Sequence, residues 1–314
     1  MIPEGKLNYI QGSPLAVSVI NARRFPAHVH SSALELIFCL QGSATVVTAH
    51  QHLPILANEL LTFDREDLHC IYSDQDNLLA IVNLDLRRSD RYSWELLQYL
   101  FFSCATVVCR PFQKPYHDQV RSILAAILYA YALDEPHNGC HFTAAYKKLL
   151  SLLVNEFSWP YKSDLDSEMN DEIRERLNSI NAYVQQHYME KITISQLSRL
   201  NNISENYFSQ FMKKTTYGGF KEMLAYIRCY HAESLLLNTD LSGQEISARC
   251  GFSSTKYFYK WFRKFWGKSP LQHKKWYERY AASGDDYQII PPEDLLPVIQ
   301  KWIADDLMNS VFER

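Results

Sequence analysis

Two ten-residue stretches, ENYFSQFMKK at 205–214 and TKYFYKWFRK at 255–264, superimpose at an offset of 50 residues. Tyr207 and Phe208 fall on Tyr257 and Phe258, Phe211 and Met212 on Trp261 and Phe262, and Lys213 and Lys214 on Arg263 and Lys264. A repeated supersecondary unit cannot bury its apolar side alone, so each copy needs its neighbour or a joining element to pack on. The segment between them, FKEMLAYIRCYHAESLLL, has the apolar spacing of one long helix.

Each copy follows a short amphipathic stretch and a turn, LSRLNNIS at 197–204 and ISARCGFS at 246–253. Asn202 and Gly251 stand in those turns and are residue types that tolerate positive φ. Short helix, tight turn and second helix make a helix-turn-helix, here present twice. At 100° per residue the second copy places Tyr257, Phe258, Trp261, Phe262 and Phe265 on one side. Thr255, Lys256, Tyr259, Lys260 and Arg263 fall opposite, a face of donors and cations suited to base edges and phosphates.

Charge is divided in the same way along the chain. Residues 171–280 hold 17 Lys+Arg against 10 Asp+Glu, a surplus of +7, whereas 1–170 (13 against 18) and 281–314 (2 against 7) are each −5. The anionic partner therefore belongs to the middle segment alone. Hydrophobic residues make up 47% of the 314 and charged ones 21%, the balance of an ordered globular chain. No apolar run approaches the roughly 18 residues of a membrane span and no basic-then-apolar leader opens the chain, so a cytoplasmic protein without a membrane partner is expected. Cys39, Cys70, Cys104, Cys109, Cys140, Cys229 and Cys250 form no CxxC pair and read as reduced thiols in apolar surroundings.

Residues 15–85 alternate apolar and polar in short β-branched runs, the pattern of an antiparallel sandwich or barrel. From about residue 90 the period becomes helical, through WELLQYLFF, DQVRSILAAILYAYAL and AAYKKLLSLLVNEF. Ile123, Leu124, Ile127, Leu128 and Tyr131, with Leu149, Leu152, Leu153 and Phe157, exceed what covering a small barrel needs, and suggest a homodimer interface. Residues 158–170 are polar and contain Pro160; 281–314 are acidic, with a helix expected near Pro292.

The string Ile246-Ser247-Ala248-Arg249-Cys250-Gly251-Phe252, then Tyr257-Phe258, Phe262 and Gly267-Lys268-Ser269-Pro270, resembles the DNA-binding domain of the AraC/XylS family of transcriptional regulators. Leu197, Asn202, Ser204, Tyr207 and Phe208 carry the likeness in the first copy, and Phe220, Ile227, Arg228, Ala232, Leu235 and Leu236 in the joining helix. Ser198 and Ser247 depart from the usual Ala, Cys250 from Val, and His273-Lys274 from a closing aromatic-Arg pair. The resemblance implies that both second helices enter adjacent major-groove segments. Base contacts then fall to Asn206, Ser209, Gln210, Thr255, Lys256, Tyr259 and Lys260, and phosphate contacts to Lys213, Arg263 and Lys264.

That family often attaches a cupin-like barrel, and FPAHVHSSALELIFCLQG resembles the first cupin motif through His28, His30, Glu35 and Gly42. A partial second motif supplies His69, with Asn58 where a turn glycine is usual. Arg24, His28, His30, Glu35 and His69 are the expected effector-binding residues. His28, His30, Glu35 and His69 also have the composition of a three-histidine, one-carboxylate metal set, although barrels of such regulators use these positions as a polar lining without metal or other cofactor. His50 and His52 read as an exposed hairpin turn.

The expected architecture is an α+β multidomain chain: a cupin-like effector barrel over 1–88, a helical dimerisation region over 89–160, and a linker over 161–170. A double helix-turn-helix domain over 171–280 and an acidic helical extension over 281–314 complete it. The expected function is sequence-specific binding of double-stranded promoter DNA under control of a sugar-like effector of a carbohydrate operon, by a homodimer that also meets RNA polymerase; it is not an enzyme. A metal-dependent cupin enzyme, or a regulator responding to metal or a protein partner, is the alternative.

Overall fold

The computed structural model describes residues 5–48, 52–65, 67–92, 97, 101–102, 104–106, 114–133, 139–159, 171–215, 219–281 and 284–312. His50, Cys109 and the linker 161–170 lie outside them. The chain divides into two compact units. One comprises Pro3–Trp94, Phe102–Phe157 and Ala281–Arg314; the other comprises Ser158–Tyr280 with Glu95–Phe101 and Met1–Ile2.

The first unit is built on one antiparallel sheet. Its strands are β1 (Leu15–His28), β2 (Ala33–Gln41), β3 (Ser43–Thr48), β4 (His52–Leu56), β5 (Leu60–Phe63), β6 (His69–Tyr72) and β7 (Leu78–Asp85), in the order β4-β3-β6-β1-β7-β2-β5. Side chains from both ends of that order, Ile55 of β4 and Leu61 and Phe63 of β5, meet Ile20, Ile37, Val46, Ile71 and Ile81 in one buried cluster. The sheet therefore curls on itself, as the short alternating runs predicted.

β2 is buried on both faces, save its last residue. Odd positions such as Ile37 and Cys39 enter the barrel core, while Phe38 faces outward and meets the ring of Trp302 at 5.0 Å. Trp302 belongs to the acidic C-terminal segment, which returns to this unit. Asp286–Ile289 forms a strand (β10, after the two-residue pair β8, Phe101–Phe102, and β9, Ser158–Trp159) that pairs antiparallel with β1, Ile20 opposite Ile289 and Ala22 opposite Tyr287. A helix follows over Pro292–Phe312, starting where Pro292 predicted it.

The helices of this unit are α1 (Lys114–Ala132), α2 (Gly139–Glu156) and that C-terminal helix, numbered α10 in chain order. α10 and α2 both pack on α1. Ile123, Leu124, Ile127, Leu128, Leu149, Leu153 and Phe157 are all at most 6% exposed within the unit. Most of the apolar surplus read as a dimer interface is thus buried within the unit, in part beside Leu295, Ile299 and Trp302 of α10, while Tyr131 and Leu152 stay half-buried. Of the helix expected in WELLQYLFF, Phe101 and Phe102 form β8 instead, and all but Leu97 of the remainder lies outside the described residues.

The second unit is helical: α3 (Asp171–His187), α4 (Ile194–Leu200), α5 (Glu205–Thr215), α6 (Phe220–Asn238), α7 (Gly243–Arg249), α8 (Thr255–Trp266) and α9 (Pro270–Ala281). Among the described residues no helix is long and apolar enough to cross a membrane. Two cores share α6. Its first half gives Phe220, Met223, Leu224 and Ile227 to a cluster with Leu177, Leu197, Phe208 and Met212. Its second half gives Cys229, Ala232 and Leu236 to a cluster with Ile246, Cys250, Phe258, Phe262 and Trp266.

Candidate functional site: a paired helix-turn-helix surface and a buried histidine cluster

In both repeats the turn is made as the sequence required. Asn202 has φ 53° and Gly251 φ 72°, left-handed values that allow the chain to reverse between α4 and α5 and between α7 and α8. The second helices start on serine caps: Ser254 Oγ accepts from the Tyr257 amide at 3.2 Å, and Ser204 Oγ from the Tyr207 amide at 3.2 Å. A Ser242–Glu245 capping box opens α7.

On α5, Phe208, Phe211 and Met212 are buried while Asn206, Gln210 and Lys213 are exposed and Ser209 is half-buried. On α8, Phe258, Phe262 and Trp266 are buried, and Lys256, Lys260, Arg263 and Lys264 are exposed. The burial is rolled relative to the wheel drawn from sequence. Tyr257, expected in the core, is 40% exposed, and Trp261 and Phe265 are half-buried beside it. Tyr259 is half-buried instead: a Cβ on Gly243 of α7 would stand 2.6 Å from its phenol oxygen. Lys260 lies over the Tyr257 and Trp261 rings, and the Lys264 ammonium pairs with Glu222 of α6.

His273, which departs from the usual aromatic residue, is fully buried with a local reason. Glu233 of α6 receives the Trp266 indole N–H at 2.7 Å through one oxygen and holds His273 Nε2 at 2.7 Å through the other. Lys274 donates to the Thr239 carbonyl at the C-terminus of α6.

Residues 197–275, which span α4 to α9, match the helix-turn-helix domain family. The two repeats together form an AraC-type helix-turn-helix domain. Over 99 residues the chain is 34% identical to the HTH-type transcriptional regulator YijO of Escherichia coli (strain K12), spanning 32% of this chain and 35% of that one. Over 128 residues it is 29% identical to the Msm operon regulatory protein of Streptococcus mutans, spanning 41% of this chain and 45% of the relative. The chain thus covers less than half the length of either relative. Among solved structures, the C-terminal domain of the response regulator yesN from Fusobacterium nucleatum is 30% identical, covering 32% of this chain and 98% of that domain at a TM-score of 0.29.

In the barrel, four of the five expected effector residues converge. Glu35 accepts from Asn83 Nδ2 at 2.7 Å, and its two oxygens lie 2.8 Å from His30 Nε2 and His69 Nε2, with His28 Nε2 at 3.6 Å. All four are at most 5% exposed. Asn83 was missed in the sequence; it sits opposite Glu35 in the β2–β7 register, a pairing that only the sheet reveals. Gly5 covers the cluster, its amide donating to the Val29 carbonyl at 2.9 Å. A Cβ there would stand 2.3 Å from His30 Cε1.

Arg24 does not join them. β1 bulges between Ala22 and Arg24 and again between Phe25 and His28. The first bulge inverts the facing, which leaves Arg24 exposed, and the second restores it for His28. Arg23 points away as well and pairs with Asp76 at 3.0 Å.

Burial opposes ionisation of Glu35, yet the His69 charge and the contacts from His28, His30 and His69 hold its carboxyl well below the usual range. Burial also pushes His28 down, but Glu35 outweighs it and the net shift is upward; burial and the neighbouring His28 leave His69 lowered. His28 Nδ1 faces the Pro26 carbonyl at 2.9 Å and His69 Nδ1 the Asp67 carbonyl at 2.8 Å. A carbonyl only accepts, so both Nδ1 atoms carry the proton, and a neutral ring then turns a bare Nε2 lone pair toward the Glu35 carboxylate. Converging lone pairs and an anion call for a cation between them, either protons or a metal ion, and His28, His30 and Glu35 bring their ligand atoms close enough together to fit a divalent metal.

Proposed function

We propose that this protein is a sequence-specific DNA-binding transcriptional regulator whose barrel senses a small effector. The observation that carries the reading is the pair of helix-turn-helix repeats on one α6, each presenting polar and cationic side chains on its second helix. Asn206, Ser209, Gln210, Thr255, Lys256 and Lys260 read bases; Lys213 and Arg263 hold phosphates. Tyr259 contributes at the edge of the surface, because its half-buried side chain lies against Gly243 of α7. The family match and the surplus of +7 over residues 171–280 support the same partner.

Binding selection from a random double-stranded DNA library tests it. Enrichment of a two-part motif is expected, and a library that stays random after repeated rounds defeats the proposal.

The effector reading is a polar molecule of the sugar class controlling a carbohydrate operon, supported by hydrogen-bonding groups of His30, Glu35, His69 and Asn83 inside an apolar barrel. The two Nδ1-protonated rings favour a second reading, in which a divalent transition metal is the effector and is held by His28, His30, Glu35 and His69. A thermal-shift series separates the two. Stabilisation by sugars with none from Zn²⁺, Mn²⁺ or Ni²⁺ supports the first, and the converse supports the second. Neither reading assigns catalysis.

A further inference from the structure

Among the buried side chains of α6, Ile227 is the last in the first core and Cys229 the first in the second, with half-buried Tyr226 already packed against the second. Arg228 lies between them, half-buried, and reaches toward the first repeat. Its Nε donates to the Tyr188 carbonyl at 2.7 Å and an Nη to the Glu190 carbonyl at 2.8 Å, both in the loop joining α3 to α4. Its guanidinium carbon also lies 5.9 Å from the ring centroid of Phe252, in the turn of the second repeat.

The same loop touches that turn directly. A Cβ on Gly251 would stand 2.5 Å from the Met189 carbonyl oxygen, so backbone meets backbone there. Beside these contacts a cleft of about 460 Å³ opens between Thr193 and Ser195 of the first repeat and Tyr257 of the second. The Arg228 fork and the Gly251 contact therefore both tie the repeats together at this place.

We infer that Arg228 is a positioning residue that sets the gap between the two DNA segments read by α5 and α8, by fixing the roll of the second repeat about α6. This rests on the DNA-binding reading above. One inserted base pair moves the second segment by about 3.4 Å and turns it by about 35°, so a rigid pair of helices tolerates one gap and a loosened pair several. Arginine suits the task because its planar fork donates to two carbonyls at once, which a lysine ammonium on a flexible stem does not reproduce.

The test is binding selection on random double-stranded DNA with the full chain, its Arg228→Lys variant and its Arg228→Met variant, followed by titration of the recovered sites. Wild type is expected to recover two half-motifs at one gap length and to discriminate about tenfold or more against a one-base-pair insertion, the scale of losing one well-placed contact set. Both variants are expected to recover the same half-motifs at several gap lengths, with discrimination of about threefold or less and an unchanged salt slope.

Variants that keep the single wild-type gap overturn the inference. So does full rescue by lysine, which would make charge the relevant property, and so does a salt slope lowered by about one, which would make Arg228 a phosphate contact. If methionine prevents folding, the lysine variant decides, and circular dichroism reports which has occurred. Failure of wild type to enrich any motif defeats the DNA reading itself, an outcome distinct from a variant that retains its gap.

Discussion

Asn58 has a left-handed backbone, φ 71°, and its side-chain oxygen accepts the indole N–H of Trp302 at 2.6 Å. It therefore does two things at a position where glycine does one. Asn58→Gly should cost about 1 kcal/mol, the lost hydrogen bond. Asn58→Ala should cost about 2–3 kcal/mol, because it adds about 1–2 kcal/mol of left-handed strain. Urea unfolding that ranks alanine equal to or above glycine would refute this division. On the DNA surface, Lys256→Ala should relax sequence preference, whereas Arg263→Ala should weaken binding on all sequences and reduce the salt slope by about one. Lys264→Ala should change the slope less, since Glu222 already neutralises its ammonium. Salt titrations of the three variants on one selected site make the comparison.

Among the helices, α8 shows why a wheel drawn from sequence was right about the contrast and wrong about the roll. The alternation of Phe258, Phe262 and Trp266 with lysines established that one side is core. Which neighbouring aromatics complete it depended on where α7 and α6 lie, and α7 took Tyr259 while leaving Tyr257 40% exposed. The same dependence explains His273, a polar residue made tolerable by Glu233 on α6. Glu233→Ala removes the acceptor shared with Trp266 and should lower stability by about 2–6 kcal/mol, from two buried donors at about 1–3 kcal/mol each. Denaturant midpoints report it, and a loss under about 0.5 kcal/mol, the scale of an ordinary surface change, would mean that water replaces the carboxylate. Thiol reactivity follows from packing too. Cys39, Cys70 and Cys250 are buried with their thiols pushed up to about 12, 11 and 12, chiefly by burial, whereas Cys140 is exposed. Alkylation of the native protein should therefore label Cys140 and spare those three until unfolding, as peptide mapping would show.

At the level of the whole chain, the helix-turn-helix unit is an insertion in sequence: parts of the barrel unit precede it and Ala281–Arg314 follow it. The C-terminal segment belongs structurally to the barrel, through β10 on β1, Tyr287 at 4.7 Å from Phe25, and α10 on α1. Ending the chain at Gly284 uncovers the sites of Leu295, Ile299 and Trp302, side chains whose burial is worth about 1.5–3 kcal/mol each. Calorimetry should then show the barrel transition lowered or lost while the helix-turn-helix transition holds its temperature. An unchanged barrel transition would refute the assignment of the segment.

Local order was legible in the sequence: the two repeats and their left-handed turns, the joining helix, the barrel strands, and the four residues His28, His30, Glu35 and His69. Each depends on spacing within a few residues, or on a repeat that the chain carries twice. Only the tertiary structure decided that Arg24 faces solvent, that Asn83 completes the Glu35 cluster, that α10 packs on α1, and that Arg228 joins the repeats. These depend on which distant segment pairs with which and on bulges that invert the facing of a strand. A period-2 or period-3.6 pattern holds no record of either.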